Sequence, residues 1–169
     1  VAVGTAWGVH QSGHLSPGLL ALALAGLMLL HAGANVINDV GDELNGSDRL
    51  NHDRIPPFTG GSRFIQDGRL GLRAMAVWGA LLLLAAAGAG MALYTVKGPL
   101  VLVFGVVGGG LALAYSLPPL ALASRGLGEL AVAVAFGLPV TVSAWLQAGG
   151  FSLAGVLAAA VMGCWTAAI

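Results

Sequence analysis

Side chains that carry oxygen are concentrated in one stretch of an otherwise apolar chain, between Asn35 and Arg63. Five of the seven acidic residues fall between positions 39 and 53, namely Asp39, Asp42, Glu43, Asp48 and Asp53. Carboxylate and amide oxygens without paired His or Cys are ligands that suit Mg²⁺ or Ca²⁺ better than zinc. Because Mg²⁺ binds one or two carboxylates together with substrate phosphates, this stretch predicts Mg²⁺-assisted chemistry on a phosphate-bearing substrate.

The polar residues at the start of this stretch have helical spacing. His31, Asn35, Asn38 and Asp42 are separated by 4, 3 and 4 positions, with Asp39 beside them, so on a helix they form one stripe. Exposing this stripe to lipid would cost several kcal/mol, so we expect it to line a cavity inside a helical bundle. For His31 and Asn35, hydrogen bonding between helices is an equally simple explanation.

Basic residues accompany the acidic ones. Arg49, Arg54 and Arg63 are candidates for charge-assisted bonds to phosphate oxygens, although the same residues would also suit a solvated loop. The segment Thr59-Gly60-Gly61-Ser62 offers backbone N–H groups and hydroxyls as an anion-binding loop. The connection from 41 to 73 is long for a plain loop, so we expect partial helical structure there.

The composition indicates an integral membrane protein. Hydrophobic residues make up 57% of the 169 residues, charged residues make up 8%, and the sequence ends inside an apolar run at Ile169 without having begun at a methionine. At about 20 residues per span, we expect an all-α, polytopic bundle of about five to six helices in one truncated domain, residues 1–169. The single cysteine, Cys164, excludes an internal disulfide. Nothing in the net charge of zero indicates a nucleic-acid partner, and no protein partner is evident.

Alternating helices predict which loops share a side of the membrane. The apolar runs are 1–9, 17–38, 74–96, 100–117, 130–147 and 151–169. This order places the 39–73 and 116–129 loops together, with six of the seven Lys and Arg residues. The positive-inside rule makes that side cytoplasmic, and we expect the active site to face the cytoplasm of a bacterial or archaeal cell.

Three ordered motifs resemble the UbiA superfamily of intramembrane prenyltransferases. They are NDVGDELNGSD at 38–48, PFTGGSRFIQDG at 57–68 and YSLPPLALASRGLGELAVAVAFG at 115–137. Within the superfamily the likeness is greatest to the 1,4-dihydroxy-2-naphthoate polyprenyltransferases of menaquinone synthesis. The resemblance implies a nine-helix bundle in which two aspartate motifs hold Mg²⁺ and the diphosphate of a polyprenyl donor. The second motif would lie beyond residue 169, so we expect this fragment alone to be inactive.

The resemblance also implies roles for individual residues. The metal ligands would be Asn38, Asp39, Asp42 and Asp48; the catalytic residues would be Asp39, Asp42, Tyr115 and Ser116; the substrate-binding residues would be Asn35, Asn38, Asp48, Arg54, Arg63 and Arg125. Tyr115 and Ser116 match a Tyr-Ser pair beside the reactive allylic carbon. Near them, Glu129 is a candidate ion-pair partner for Arg125, or a group that positions the aromatic acceptor.

Two alternatives remain open on the sequence. One is a prenyltransferase of the same kind with another acceptor, such as 4-hydroxybenzoate, homogentisate or a tetrapyrrole. The other is a membrane cation transporter with an ion site at Asn38, Asp39 and Asp42. A transporter would favour charges at the bilayer midplane, whereas these residues fall at the end of an apolar run.

Overall fold

The computed structural model describes residues 1–46 and 62–169, and these residues form an all-helical bundle without strands. The six α-helices are α1 (Ala2–Ser12), α2 (Pro17–Asn45), α3 (Leu72–Lys97), α4 (Leu100–Ala114), α5 (Gly128–Ala148) and α6 (Leu153–Ala167). A short 3₁₀ helix, Leu122–Arg125, lies between α4 and α5. The all-α fold is therefore confirmed, and the six helices of the described residues agree with the expected five to six.

Three of these helices are long and apolar enough to cross a membrane, namely α2, α3 and α5. The other two apolar helices, α4 and α6, are shorter, at 15 residues each. At about 1.5 Å per residue, such a helix covers roughly 22 Å, less than the hydrocarbon thickness of about 30 Å. Both helices are thus shorter than the sequence predicts from the apolar runs 100–117 and 151–169.

Helix α2 extends further than the uncharged run that predicts it. The run ends at Asn38, but the helix continues through Asp42 to Asn45 and ends at Gly46. Gly46 takes the left-handed conformation at φ 77°, which suits glycine, and its N–H bonds the carbonyl of Glu43. The predicted polar stripe is consequently helical throughout, and residues 41–45 belong to α2 rather than to the following connection.

Glycines allow several helices to pack at backbone distance. A Cβ added at Gly4 of α1 would overlap the carbonyl oxygen of Val140 on α5. A Cβ at Gly163 of α6 would overlap the carbonyl oxygen of Ala133 on α5. These contacts are the close small-residue packing typical of membrane helices. Other helical glycines are not packed in this way, since an added Cβ at Gly88 of α3 or Gly105 of α4 would meet nothing within 4 Å.

Buried side chains show how the helix ends are arranged. A core cluster joins the start of α2, the end of α3, the start of α4 and the end of α5, through Leu19, Leu93, Val101, Trp145 and Leu146. The end of α2 and the end of α4 therefore lie together at the opposite end of the bundle. This arrangement agrees with the alternating order predicted from the sequence, and it brings residues 38–46 close to residues 115–124.

Candidate functional site

The last two turns of α2 present a polar face to the end of α4. Asn38 Nδ2 donates to Asp42 Oδ2 over 3.1 Å and also to the hydroxyl oxygen of Ser116. The first bond joins positions i and i+4, which are neighbours on a helix. Because both bonds use the amide nitrogen, the Asn38 amide oxygen is the atom of this side chain that can bind a cation.

Ser116 lies where the chain leaves α4. The helix ends at Ala114, and Ser116 follows it with only 2% of its surface exposed. Its carbonyl oxygen accepts a hydrogen bond of 2.9 Å from Asn45 Nδ2. Gly41 packs directly on it, since a Cβ there would lie 2.7 Å from Ser116 Cβ. The two helix ends are thereby in contact at one buried serine.

A cavity of about 230 Å³ opens beside this contact. It is lined by Asp42, Asn45, Tyr115, Ser116, Ala121, Ala123 and Ser124. Its residues from α2 thus contribute a carboxylate and an amide, and its residues from the segment after α4 contribute an aromatic ring and hydroxyl groups. The structure brings three of the sequence-predicted residues, Asp42, Tyr115 and Ser116, to one cavity, and Asn38 bonds two of them.

Asp39 lies on a different side of α2. Its Oδ2 accepts a hydrogen bond from the Ser62 hydroxyl, and it is not among the residues that line the cavity. One turn further on, Glu43 Oε2 accepts a bond of 3.1 Å from Gln66 Nε2. Segment 62–70 therefore packs along the Asp39 and Glu43 face of the helix, while Asp42 faces the end of α4.

Two of the arginines that were predicted to bind substrate, Arg63 and Arg125, lie in different segments of the described chain. Arg125 is exposed at the end of the 3₁₀ helix, where its guanidinium donates to the carbonyl oxygen of Pro119 over 2.7 Å. In the described part of the chain it forms no ion pair with Glu129, because the guanidinium bonds a backbone carbonyl instead. Arg63 is half-buried, and its backbone is left-handed at φ 54°.

The first two residues of the polar stripe, His31 and Asn35, are more exposed than the sequence predicts. His31 contacts the ring of Phe136 on α5 edge-on, with centroids 5.7 Å apart, but both His31 and Asn35 are exposed in the described bundle. Asp48, Arg49, Arg54 and Thr59 to Gly61 lie outside the described residues. Their predicted roles stay predictions.

The described residues hold few side chains that could bind a divalent cation. The 1–46 and 62–169 segments contain no group of three or more His, Cys, Asp or Glu residues arranged to hold a metal. The candidate oxygen ligands are the Asp42 carboxylate, which lines the cavity, and the amide oxygen of Asn38, whose Nδ2 bonds Asp42. Such a hard, incomplete oxygen set fits Mg²⁺, which commonly completes its shell with water and substrate phosphates.

Two residues important to the geometry were absent from the sequence-based assignment. Asn45 and Gly41 both contact Ser116. Asn45 lies seven positions after Asn38 and Gly41 lies three positions after it, so both continue the face that the stripe defines. Extending the spacing of three and four positions by one more turn would have identified Asn45. Gly41 has no polar side chain, so a polar pattern could not indicate it.

Comparison with known proteins gives one match. A family model described as the UbiA prenyltransferase family matches residues 1–169. Comparisons with curated proteins and with solved structures found no match.

Proposed function

The chain belongs to the UbiA prenyltransferase family, a family of membrane prenyltransferases, and on this premise we propose that it transfers a polyprenyl group from an isoprenoid diphosphate to an aromatic acceptor. The observation that carries the proposal is the cavity that both Asp42 at the end of α2 and Tyr115 at the end of α4 line. The three apolar helices long enough to span a membrane fit an enzyme whose donor carries a long apolar chain.

The diphosphate of the donor binds at the α2 end of the cavity in this proposal. Asn38, Asp39, Asp42 and Asp48 are its proposed metal ligands, and the cavity position of Asp42 favours that residue most. A Mg²⁺ ion held by these residues would supply positive charge against the departing diphosphate. Arg54, Arg63 and Arg125 are proposed to bind further phosphate oxygens, and Asn35 to line the approach of the donor.

Tyr115 is proposed to face the reacting carbon. As the allylic C–O bond breaks, the electron pair leaves with the diphosphate and positive charge develops on the prenyl carbon. An aromatic ring stabilises such a cation through its π face. The electron-rich ring of the acceptor then attacks that carbon, and the attacked ring atom restores aromaticity by releasing its proton to water or, where it bears a carboxylate, by releasing CO2. Ser116 holds the Tyr115 segment against α2.

The finer identity of the acceptor rests on the motif likeness alone. We propose 1,4-dihydroxy-2-naphthoate, which would place the protein in menaquinone synthesis, with the cavity open to the cytoplasmic side of the membrane. The cavity of about 230 Å³ has room for one substituted bicyclic ring, but its lining does not distinguish that ring from a smaller hydroxylated one.

The decisive experiment measures prenyl transfer by the purified protein, expressed from its complete reading frame. With Mg²⁺ and labelled polyprenyl diphosphate, we expect label to appear on 1,4-dihydroxy-2-naphthoate, and chelation of the metal to abolish transfer. Asp42→Asn should lower kcat by about a hundredfold or more, because the carboxylate charge is lost from the site.

The neighbouring acid provides a graded comparison. Asp39→Asn keeps an oxygen that accepts the Ser62 hydrogen bond, so it should reduce turnover less than Asp42→Asn. Unchanged turnover in Asp42→Asn would refute the site. Transfer to 4-hydroxybenzoate or homogentisate alone would retain the enzyme class and reject the acceptor, and ion flux without any diphosphate requirement would indicate a transporter.

A further inference from the structure

Three residues on one face of α2 surround Ser116, and together they form what we call the serine clamp: Asn38, Gly41 and Asn45. Their spacing of 3 and 4 places them on successive turns of one face. Asn38 bonds the Ser116 hydroxyl, Asn45 bonds its carbonyl oxygen at 2.9 Å, and Gly41 packs against its Cβ. The clamp therefore contacts the hydroxyl, the carbonyl oxygen and the Cβ of Ser116.

The carbonyl of Ser116 depends on Asn45. Carbonyls at the end of a helix have no partner within the helix. In the described part of the chain, the hydrogen bond that reaches the Ser116 carbonyl comes from the Asn45 amide. A buried carbonyl left without a donor is destabilised, so losing this amide favours movement of the segment at the end of α4.

The clamp connects the two segments that line the cavity. Asn38 bonds both Asp42 and Ser116, and Ser116 follows Tyr115 directly in the chain. A shift of Ser116 along α2 would therefore move Tyr115 relative to Asp42. Since catalytic groups misplaced by about 1 Å can lose about a hundredfold in rate, the separation of these two residues matters for turnover.

We propose that Asn45 is a positioning residue that, with Gly41, fixes Ser116 on α2 and so sets the placement of Tyr115 relative to Asp42. The proposal rests on the proposed function, because its catalytic consequence requires that the cavity is the prenyl-transfer site. Asn45 lines the cavity, but its amide Nδ2 is bonded to the Ser116 carbonyl, so we expect its loss to affect turnover more than donor binding.

The primary test compares two variants that each remove an amide between helices. Asn45→Leu removes the bond to the Ser116 carbonyl without adding charge. The matched control is Gln147→Met at the opposite end of the bundle, where the Gln147 amide bonds both backbone groups of Ser16. We expect both variants to lower the melting temperature, but only Asn45→Leu to lower kcat, by about tenfold or more, with the donor KM within about twofold.

A second variant keeps every hydrogen-bonding group and moves the serine. Gly41→Ala places a Cβ 2.7 Å from Ser116 Cβ and 2.9 Å from its carbonyl oxygen, so the two helix ends must separate. We expect the same loss of kcat. Because both changes act on Ser116, the double variant should lose less thermal stability than the sum of the single variants.

The outcomes separate the clamp from the proposed function. Wild-type kcat in Asn45→Leu, an equal loss of kcat in Gln147→Met, or additive stability losses would each overturn the clamp. Absence of prenyl transfer in the wild-type protein would overturn the proposed function, while the stability coupling between positions 41 and 45 would still test the clamp.

Discussion

Asp39 and Asp42 have different surroundings although only three positions separate them. Each helical residue turns the side chain by about 100°, so Asp42 lies close in direction to Asn38, whereas Asp39 lies close in direction to Glu43. Asp42 consequently meets the end of α4, and Asp39 meets Ser62. Two acidic residues of one motif can therefore have different roles, and their hydrogen-bond partners and surroundings distinguish them.

At the same scale, Tyr115 should contribute through its ring. Tyr115→Phe keeps the π face and should retain most of kcat. Tyr115→Leu should lower kcat by about 2- to 30-fold, which corresponds to a cation–π contact of about 0.5–2 kcal/mol. Steady-state prenyl transfer by the two purified variants measures this. Equal rates in Tyr115→Leu and wild type would contradict the assignment, and a Phe variant as slow as the Leu variant would point to the hydroxyl.

At the scale of elements, helix contacts rather than glycine density identify the glycines that matter. Gly105, Gly109 and Gly110 lie close together on α4, yet an added Cβ would meet nothing within 4 Å at any of them. Gly163 is less conspicuous in the sequence, but it packs on the α5 backbone. Which helix faces a glycine is a property of the fold, and a local pattern does not contain it.

This difference predicts opposite effects of one substitution at two glycines. Gly163→Ala puts a Cβ against a backbone carbonyl that cannot rotate away, and overpacking of this kind costs about 1–3 kcal/mol. Gly88→Ala meets open space, and alanine is favoured over glycine in a helix interior by about 1 kcal/mol. Thermal unfolding in detergent should show a lower melting temperature for the first and an equal or higher one for the second. The reverse order would contradict the α5–α6 packing.

At the scale of the whole molecule, the two ends of the bundle differ in chemistry. One end is closed by the apolar and aromatic cluster around Trp145, whose ring contacts Phe104 and Phe151. The other end carries the polar cavity and most of the described charged residues. Such a difference between the two ends suits a site that binds a charged substrate from one side of a membrane.

The proposed orientation can be measured by labelling. In a Cys164→Ser background, His14→Cys marks the exposed turn between α1 and α2, and Leu70→Cys marks the exposed segment before α3. A membrane-impermeant maleimide added to intact cells should label position 14, and it should label position 70 after permeabilisation. Labelling of position 70 in intact cells would invert the orientation.

The sequence by itself determined the membrane class, the number of helices and the stretch where the polar groups gather, because composition and 3.6-residue periodicity are local properties. It also indicated that the 39–73 and 116–129 loops share one end, since long apolar helices must alternate in direction. Only the tertiary structure decided that Asn45 and Gly41 enclose Ser116, that Asp39 turns to Ser62, and which glycines pack. Those facts depend on which faces of distant helices meet, and a residue's neighbours across the bundle are set by packing rather than by its neighbours along the chain.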